Sequence, residues 1–181
     1  MDTTNQQVLI VHASRFGQAT KIAETIAAVL EARGIRTELK ALTDLTTPDP
    51  ERHRALVMVT SVRYGHFDPN SARIVAENRA WVDSVPTLLV TVSLTARTPA
   101  KRDPAVHTYT KKFLETTTWS PTQVEVMPGM LDYPSYTFLD RFMIRLIMRM
   151  TGGVTDPKAV IEYTDWDEVR AAAARFADRL A

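Results

Sequence analysis

Three short apolar runs constrain the fold of this chain more than any other feature of its sequence. They are Val8–Val11, Ala55–Val59 and Thr87–Val92, and each is nearly continuous and rich in β-branched side chains. A strand that is apolar at successive positions is buried on both faces, which is typical of a parallel sheet covered by helices. The 181 residues are enough for one such domain with a substantial core.

Helical patterns alternate with these strands. Apolar residues recur every three or four positions between Ile22 and Leu30, which predicts a helix after the first strand. Further helices are predicted over about 69–82, 105–117 and 165–180, and further strands over 37–42 and 123–127. We therefore predict an α/β fold with a doubly wound, five-stranded parallel sheet.

The composition excludes several classes of function. Hydrophobic residues make up 45% and charged residues 24% of the chain, which are ordinary globular values. The net charge of +1 gives no global field that would attract nucleic acid, so none is predicted as a partner. The lack of cysteine excludes disulfides and iron–sulfur clusters, and no metal site is predicted. Residues 1–7 lack a signal-peptide pattern and no apolar run reaches about 18 residues, so we expect a cytoplasmic protein.

Three loops follow the carboxyl ends of predicted strands and are expected to meet at one edge of the sheet. They comprise residues 14–20, 61–67 and 93–97. In open parallel sheets, ligands bind beyond the carboxyl ends of the strands, at the point where the strand order reverses. The functional site is therefore expected on these three loops.

The first loop has the composition of a phosphate-binding turn. It consists of Ser14, Arg15, Phe16, Gly17, Gln18, Ala19 and Thr20. Hydroxyl and free N–H groups at the start of a helix bind anions, and a glycine permits close approach. The loop matches neither the Walker pattern nor G-x-G-x-x-G, which disfavours a P-loop ATPase or a dinucleotide-binding NAD domain. The alternative is an ordinary turn in which Ser14 caps the helix.

The second and third loops carry residues that suit a flat cofactor. The second loop contributes Ser61, Val62, Arg63, Tyr64 and Gly65. The third loop contributes Ser93, Leu94, Thr95, Ala96 and Arg97 as the opposite wall. An aromatic ring beside a glycine favours stacking on a flat ring, although Tyr64 and Phe67 would also serve simply to cover the end of the sheet. The basic stretch that follows, with Lys101 and Arg102, is either a solvated surface or a cationic rim for substrate carboxylates.

Residues 129–160 break the alternation of strands and helices, and we interpret them as an insertion within a single domain of residues 1–181. Leu139–Met150 is apolar apart from Asp140 and the arginines Arg141, Arg145 and Arg149. Their four-residue spacing places the arginines on one face of a helix, which Gly152-Gly153 is expected to end. Such a helix suits an anionic membrane surface or a methionine-lined pocket for a bulky apolar ligand. The alternative is a helix packed on the sheet with its arginines in water.

The chain as a whole resembles the menaquinone-dependent protoporphyrinogen oxidases, flavodoxin-like proteins of bacterial haem biosynthesis. The segments that carry the resemblance are Ser61–His66, Ser93–Arg97, Asp140–Ile144, Gly152-Gly153 and Tyr163–Trp166. The first loop is similar to the flavodoxin phosphate loop, although Ala19 stands where that family usually has a threonine. The resemblance implies a flavodoxin-like sheet, FMN on the three loops and oxidation of protoporphyrinogen IX to protoporphyrin IX, with electrons passed to menaquinone or ubiquinone.

The same resemblance implies roles for particular residues. Tyr64 is the candidate for stacking on the flavin, with the Gly65 backbone near its reactive N5 edge. A porphyrinogen is an apolar disc with two propionates. The candidates for substrate or membrane contact are therefore Arg97, Lys101, Arg102 and the three arginines of the predicted helix. A membrane quinone implies peripheral contact at the inner face of the cell membrane, through the insertion. No catalytic acid or base stands out, because the cofactor carries the chemistry.

Other functions remain open at this point. A flavodoxin-type electron carrier would use the three loops without a substrate of its own. A quinone reductase would use NAD(P)H, although no nicotinamide motif is present. A signalling domain that has lost its cofactor is a further alternative, favoured only by Ala19.

Overall fold

The computed structural model describes residues 6–43 and 46–180. Most of residues 1–7, for which no signal peptide is predicted, therefore lies outside the described residues. The strands of the main sheet are β1 (Gln7–Ala13), β2 (Thr37–Ala41), β3 (His53–Ser61), β4 (Thr87–Val92) and β5 (Gln123–Met127). The helices are α1 (Gln18–Ala32), α2 (Pro69–Glu77), α3 (Arg79–Val82), α4 (Thr108–Thr117), α5 (Phe138–Met150) and α6 (Trp166–Asp178). Two short antiparallel strands, β6 (Met130–Asp132) and β7 (Val160–Glu162), flank the segment that contains α5.

The main sheet is parallel throughout and has the strand order β2-β1-β3-β4-β5, which confirms the predicted fold class. The chain moves from β1 outward to β2 and then returns past β1 to β3. This reversal opens a crevice at the carboxyl ends of β1 and β3, where ligands bind in this topology. It also brings together the loops that follow β1, β3 and β4.

Both faces of the sheet are covered by helices. Side chains that point to one face, such as Val8, Ile10 and Val57, pack with α1 and α6. Side chains that point to the other face, such as Leu9 and Met58, pack with α2, α3 and α4. Because successive residues of a strand point to opposite faces, burial on both sides requires the continuous apolar runs seen in the sequence.

Two helices differ from the sequence prediction because polar side chains interrupt them. The helix predicted over 69–82 is divided at Asn78, whose Nδ2 donates to the carbonyl of Ile74 and whose backbone begins α3. Helix α4 begins at Thr108 rather than near 105, because the side chain of His107 accepts a hydrogen bond from the N–H of Thr110. Within residues 6–43 and 46–180, no helix is long and apolar enough to cross a membrane.

Candidate functional site

A cleft opens at the carboxyl edge of the sheet, between the three loops and α5. It encloses about 1000 Å³ of space outside the protein atoms, part of which is open to solvent. Helix α5 closes one side of the cleft with Ile144, Ile147 and Met148. The sequence-predicted residues that line it are Ser14, Arg15, Phe16, Gln18, Ala19, Ser61, Val62, Arg63, Tyr64, Gly65, Ser93, Leu94, Thr95 and Arg97.

Three other residues predicted for cofactor contact lie beside the cleft rather than on its wall. Ala96 belongs to the third loop but is fully buried. The hydroxyl of Thr20 turns towards the strand, where Oγ1 lies 3.1 Å from Nδ1 of His12. Gly17 turns the chain into α1 with a φ of 84°, a left-handed conformation in which glycine has no Cβ penalty.

The first loop has several free backbone donors at the side of the cleft where α1 begins. Oγ of Ser14 accepts the N–H of Ala19 at 3.2 Å, so part of the capping role expected for Ser14 is present. Among the described residues, no acceptor takes the N–H groups of residues 15–18. Together with the positive end of the helix dipole, these N–H groups form a site for an anionic group.

Tyr64 stands at the mouth of the cleft in a strained conformation. Its φ is 49°, which is uncommon for a residue with a side chain, and 41% of its surface is exposed. Its hydroxyl donates to Oδ1 of Asp140, and the guanidinium of Arg63 lies 4.7 Å from its ring centroid. These two contacts hold the ring in one orientation at the edge of the cleft.

Asp140 is the charged residue of this cleft wall that was not predicted from the sequence, and Tyr109, Gly129, Met130 and Tyr136 also line the cleft without having been predicted. Its side chain is 2% exposed, and its carboxylate accepts hydrogen bonds from Tyr64, from Nη2 of Arg63 at 2.8 Å and from Oγ1 of Thr137 at 2.7 Å. Nη2 of Arg15 lies 3.6 Å from the same carboxylate. The sequence signal is the pattern Thr137-x-x-Asp140, which is typical of a helix start and here places a carboxylate at the cleft.

The contacts of Asp140 fix its charge. The hydrogen bond from Tyr64, supported by those from Arg63 and Thr137, holds the pKa of Asp140 well below its usual range. The same bond to Asp140 raises the pKa of Tyr64 above that of a free phenol. Asp140 is therefore an anion and Tyr64 a neutral donor at neutral pH, which suits a fixed anchor rather than a proton acceptor.

Helix α5 and the residues before it are fastened to all three loops. The rings of Phe16 and Tyr136 lie 4.7 Å apart, which joins the first loop to the segment before α5. Asp140 joins the second loop to the first turn of α5. At the other end, Nη2 of Arg97 donates to the carbonyl of Thr151 at 3.0 Å and to its Oγ1 at 2.7 Å. The helix is therefore a wall of the cleft.

The arginines of α5 do not reach the cleft. Nε of Arg141 donates to the carbonyl of Tyr133 at 3.0 Å, and Nε of Arg145 donates to the carbonyl of Thr155 at 3.0 Å. Arg149 has no partner in the described part of the chain. Lys101 and Arg102 also lie off the cleft wall, and Nε of Arg102 donates to the carbonyl of Ala96 at 3.0 Å. Of the predicted cationic anchors, Arg97 lies on the wall, and the other cations on the wall among the described residues are Arg15 and Arg63.

The outer face of α5 is apolar and exposed. Phe138 is 88% exposed. We define the outer face as Phe138, Leu139, Phe142, Leu146, Ile147 and Met150. Ile147 belongs both to this face and to the wall of the cleft, so the two apolar surfaces are continuous. Exposed apolar patches of this kind mark interaction sites in most proteins.

Comparisons with solved structures place the fold among the flavodoxins. Oxidised flavodoxin 1 from Bacillus cereus is similar with a TM-score of 0.57 and 10% sequence identity, over 97% of this chain and 100% of that one. A Streptococcus flavodoxin is similar with a TM-score of 0.55 and 15% identity, over 96% of this chain and 99% of that one. At such low identity the likeness concerns the fold alone.

Comparisons of sequence go further. A flavodoxin domain model matches residues 9–158. A protein of Escherichia coli K12 named protoporphyrinogen IX dehydrogenase (quinone) is 37% identical over 97% of this chain and 94% of its own length. A protein of the same name from Leishmania major is 34% identical over 98% of this chain and 77% of its own length. The chain therefore belongs to the flavodoxin-domain family and, within it, to the group of the quinone-dependent protoporphyrinogen IX dehydrogenases.

Proposed function

We propose that the chain holds FMN in this cleft and oxidises protoporphyrinogen IX to protoporphyrin IX, with a quinone as electron acceptor. The observation that carries the proposal is the apolar wall formed by α5, which is fastened to each of the three loops. Relatives that match nearly the whole chain are named for this substrate and this class of acceptor. The family implies a flavin, and the choice of FMN is part of the proposal.

The residues of the cleft fit a flavin with one phosphate. The free N–H groups of residues 15–18 would hold the phosphate at the start of α1. Tyr64 and Gly65 on one side and Ser93–Thr95 on the other would hold the ring. When bound, the flavin would supply the acceptor for the equivalent of hydride from the substrate, which the side chains of this protein do not offer.

The side chains around this site have supporting roles. Ile144, Ile147 and Met148 offer an apolar surface for a tetrapyrrole and exclude water from it. Arg15, Arg63 and Arg97 place positive charge at the edge of the cleft, where the propionates of the substrate would lie. Asp140 holds Tyr64 and Arg63 in place and stays ionised.

The principal alternative is an electron carrier without its own substrate. Such a carrier gains nothing from an apolar wall over the cleft, whereas an enzyme for a large apolar substrate requires one. The structure offers no comparable argument for a nicotinamide-dependent reductase.

The test is a direct assay of the proposed reaction. Purified protein loaded with FMN, mixed with protoporphyrinogen IX and a menaquinone analogue under low oxygen, should increase porphyrin fluorescence faster than autoxidation does. The oxidation removes about six electrons per porphyrin and a flavin accepts about two, so omission of the quinone should limit the yield to about one porphyrin per three flavins. A rate equal to that without protein would contradict the proposed function, and reduction of the quinone by NADPH alone would favour a quinone reductase.

We propose in addition that the outer face of α5 contacts the inner face of the cell membrane. The quinone acceptor lies in the bilayer, and the outer face is continuous with the cleft through Ile147. Arg149 lies beside this face and is suited to anionic headgroups. Flotation of the protein with anionic vesicles, compared with uncharged ones, tests this contact.

A further inference from the structure

A chain of buried hydrogen bonds leads from the core of the protein to the third loop. His107 is 2% exposed, with Nδ1 2.7 Å from Oγ1 of Thr110 and Nε2 3.1 Å from Oγ1 of Thr95. Oγ1 of Thr95 lies 2.9 Å from Oγ of Ser93. At the other end, Oγ1 of Thr110 lies 2.8 Å from Oγ1 of Thr91. Ser93 and Thr95 line the cleft, whereas His107 does not.

The start of α4 fixes the tautomer of His107. The backbone N–H of Thr110 donates to Nδ1 of His107 at 3.4 Å, so Nδ1 is the acceptor nitrogen. Burial, together with the charge of Lys101, lowers the pKa of His107, so the ring is neutral at physiological pH. The single ring hydrogen is therefore on Nε2, where it is donated to Oγ1 of Thr95.

This tautomer sets the direction of the hydrogen bonds at the cleft. Because Oγ1 of Thr95 accepts from His107, the hydroxyl hydrogen of Thr95 is free for Ser93 or for a ligand. Oγ of Ser93 also accepts the N–H of Thr95 at 3.3 Å. When Thr95 donates to Ser93, no acceptor within residues 6–43 and 46–180 other than Thr95 itself lies within reach of the Ser93 hydroxyl. One hydroxyl hydrogen of the pair is thus available to the cleft.

We propose that His107 is a positioning residue that makes Ser93 and Thr95 donors towards acceptor atoms of the flavin ring. The inference rests on the proposed function, since it concerns the same cofactor site. The ring edges of a flavin carry carbonyl oxygens and nitrogens that gain negative charge on reduction. A donor held in place before reduction stabilises the reduced form more than the oxidised form. His107 therefore raises both the affinity for the flavin and its midpoint potential.

Two substitutions of His107 distinguish its role as a hydrogen-bond donor to Thr95 from its role as the cap of α4. His107→Asn keeps an acceptor near the position of Nδ1 for the N–H of Thr110 but removes the donor to Thr95. His107→Gln places an amide donor near the position of Nε2. We expect His107→Asn to weaken FMN binding to the apoprotein about tenfold, the loss of one hydrogen bond, and to lower the midpoint potential. His107→Gln should stay within about threefold of the unchanged protein.

A double-mutant cycle with Thr95→Val completes the test. Thr95→Val should weaken FMN binding at least as much as His107→Asn does, because it removes the donor itself, and His107→Asn should add nothing in the Thr95→Val background. Thermal unfolding of each apoprotein gives the structural effect alone. Equal losses of affinity for the Asn and Gln variants, or additive losses in the cycle, would overturn the proposal and leave His107 as a capping residue.

Two controls keep this inference distinct from the proposed function. If the unchanged protein fails to bind FMN at all, the proposed function fails. If it binds FMN but the Asn and Gln variants lose affinity equally, the role of His107 alone fails. Nitrogen-15 spectra of the apoprotein test the tautomer without any cofactor. Hydrogen on Nε2 between pH 6 and 8 is expected, and hydrogen on Nδ1 or a doubly protonated ring in that range would overturn the inference.

Discussion

Tyr64 shows how far single residues of the site are readable from the sequence. An aromatic residue beside a glycine after a buried strand predicts a contact at the cleft, and Tyr64 lies there. The partner that orients it, Asp140, is 76 residues further along the chain. The sequence marks Asp140 as the one acidic residue of an apolar segment and as part of a helix-start pattern. It does not indicate the contact with Tyr64, because that contact depends on how the segment folds back. Thr20 was predicted to contact the cofactor, but its hydroxyl instead lies within hydrogen-bond distance of His12, which the sequence pattern does not indicate.

The charge of Asp140 leads to a prediction about pH. Its pKa in the folded protein is lowered, chiefly by the hydrogen bond from Tyr64. The stabilisation is therefore present above the ordinary carboxyl pKa of about 3.9 and is lost as the pH falls through the folded-state pKa. Asp140→Asn should reduce the free energy of unfolding by roughly 1–3 kcal/mol at pH 7, because its three hydrogen-bond donors lose a charged acceptor. The loss stays within this range because Arg63 is partly exposed and solvent screens its charge.

The difference in free energy of unfolding between the unchanged protein and Asp140→Asn should stay constant from pH 7 to pH 5 and shrink below about pH 4. Urea unfolding of both proteins over this range measures it. Asp156→Asn, at an exposed aspartate of the same segment, is the matched control and should change the free energy of unfolding by less than about 0.5 kcal/mol. A difference that grows as the pH falls would show that Asp140 is not stabilised by these partners.

Among the secondary-structure elements, α5 is a helix that the sequence pattern predicts correctly, whereas the contacts of its arginines are not evident from that pattern. The helix predicted over 139–150 is Phe138–Met150. Beyond its C-cap at Thr151, Gly152 turns the chain away with a left-handed φ of 67°. The arginines share one side, as the spacing predicts. The structure shows that two of them bind carbonyl groups of flanking loops instead of water alone. Helical periodicity specifies a face, whereas the neighbours of that face depend on the tertiary fold.

The arginines of α5 are therefore predicted to differ in their effect on stability. Arg141 donates to three carbonyls, those of Tyr133, Pro134 and Tyr136, at 3.0, 3.3 and 3.4 Å. Arg141→Gln should lower the free energy of unfolding by about 1–2 kcal/mol, since these carbonyls lose a charged donor. Arg149→Gln is the matched control, because Arg149 has no partner among the described residues, and its change should be below about 0.5 kcal/mol. Chemical unfolding measures both, and equal effects would contradict the assignment of Arg141 to the loop carbonyls.

For the molecule as a whole, the fold class and the edge of the sheet at which the cleft lies were predictable from the sequence. Buried strands that alternate with helices allow few topologies, and the reversal of strand order at β1 determines where ligands bind. The wall formed by α5 was not predictable in the same way. It depends on contacts of Phe16, Arg63 and Arg97 with residues far along the chain, and local patterns carry no information on such contacts.

The position of the outer face of α5 gives a prediction for the behaviour of the whole molecule at a membrane. If this face enters the bilayer boundary, the unchanged protein should float with vesicles, and more so when they contain anionic lipid. Phe142→Glu places a charge in the centre of the face and should reduce the bound fraction at least tenfold, because burial of a carboxylate in the bilayer is costly. Leu39→Glu, at an exposed position on the edge strand β2, introduces the same charge elsewhere and should leave flotation unchanged.

Far-ultraviolet circular dichroism checks that each variant is folded. Equal flotation of the Phe142 variant and the unchanged protein would show that α5 does not contact the membrane, even if the porphyrinogen assay succeeds with a water-soluble quinone.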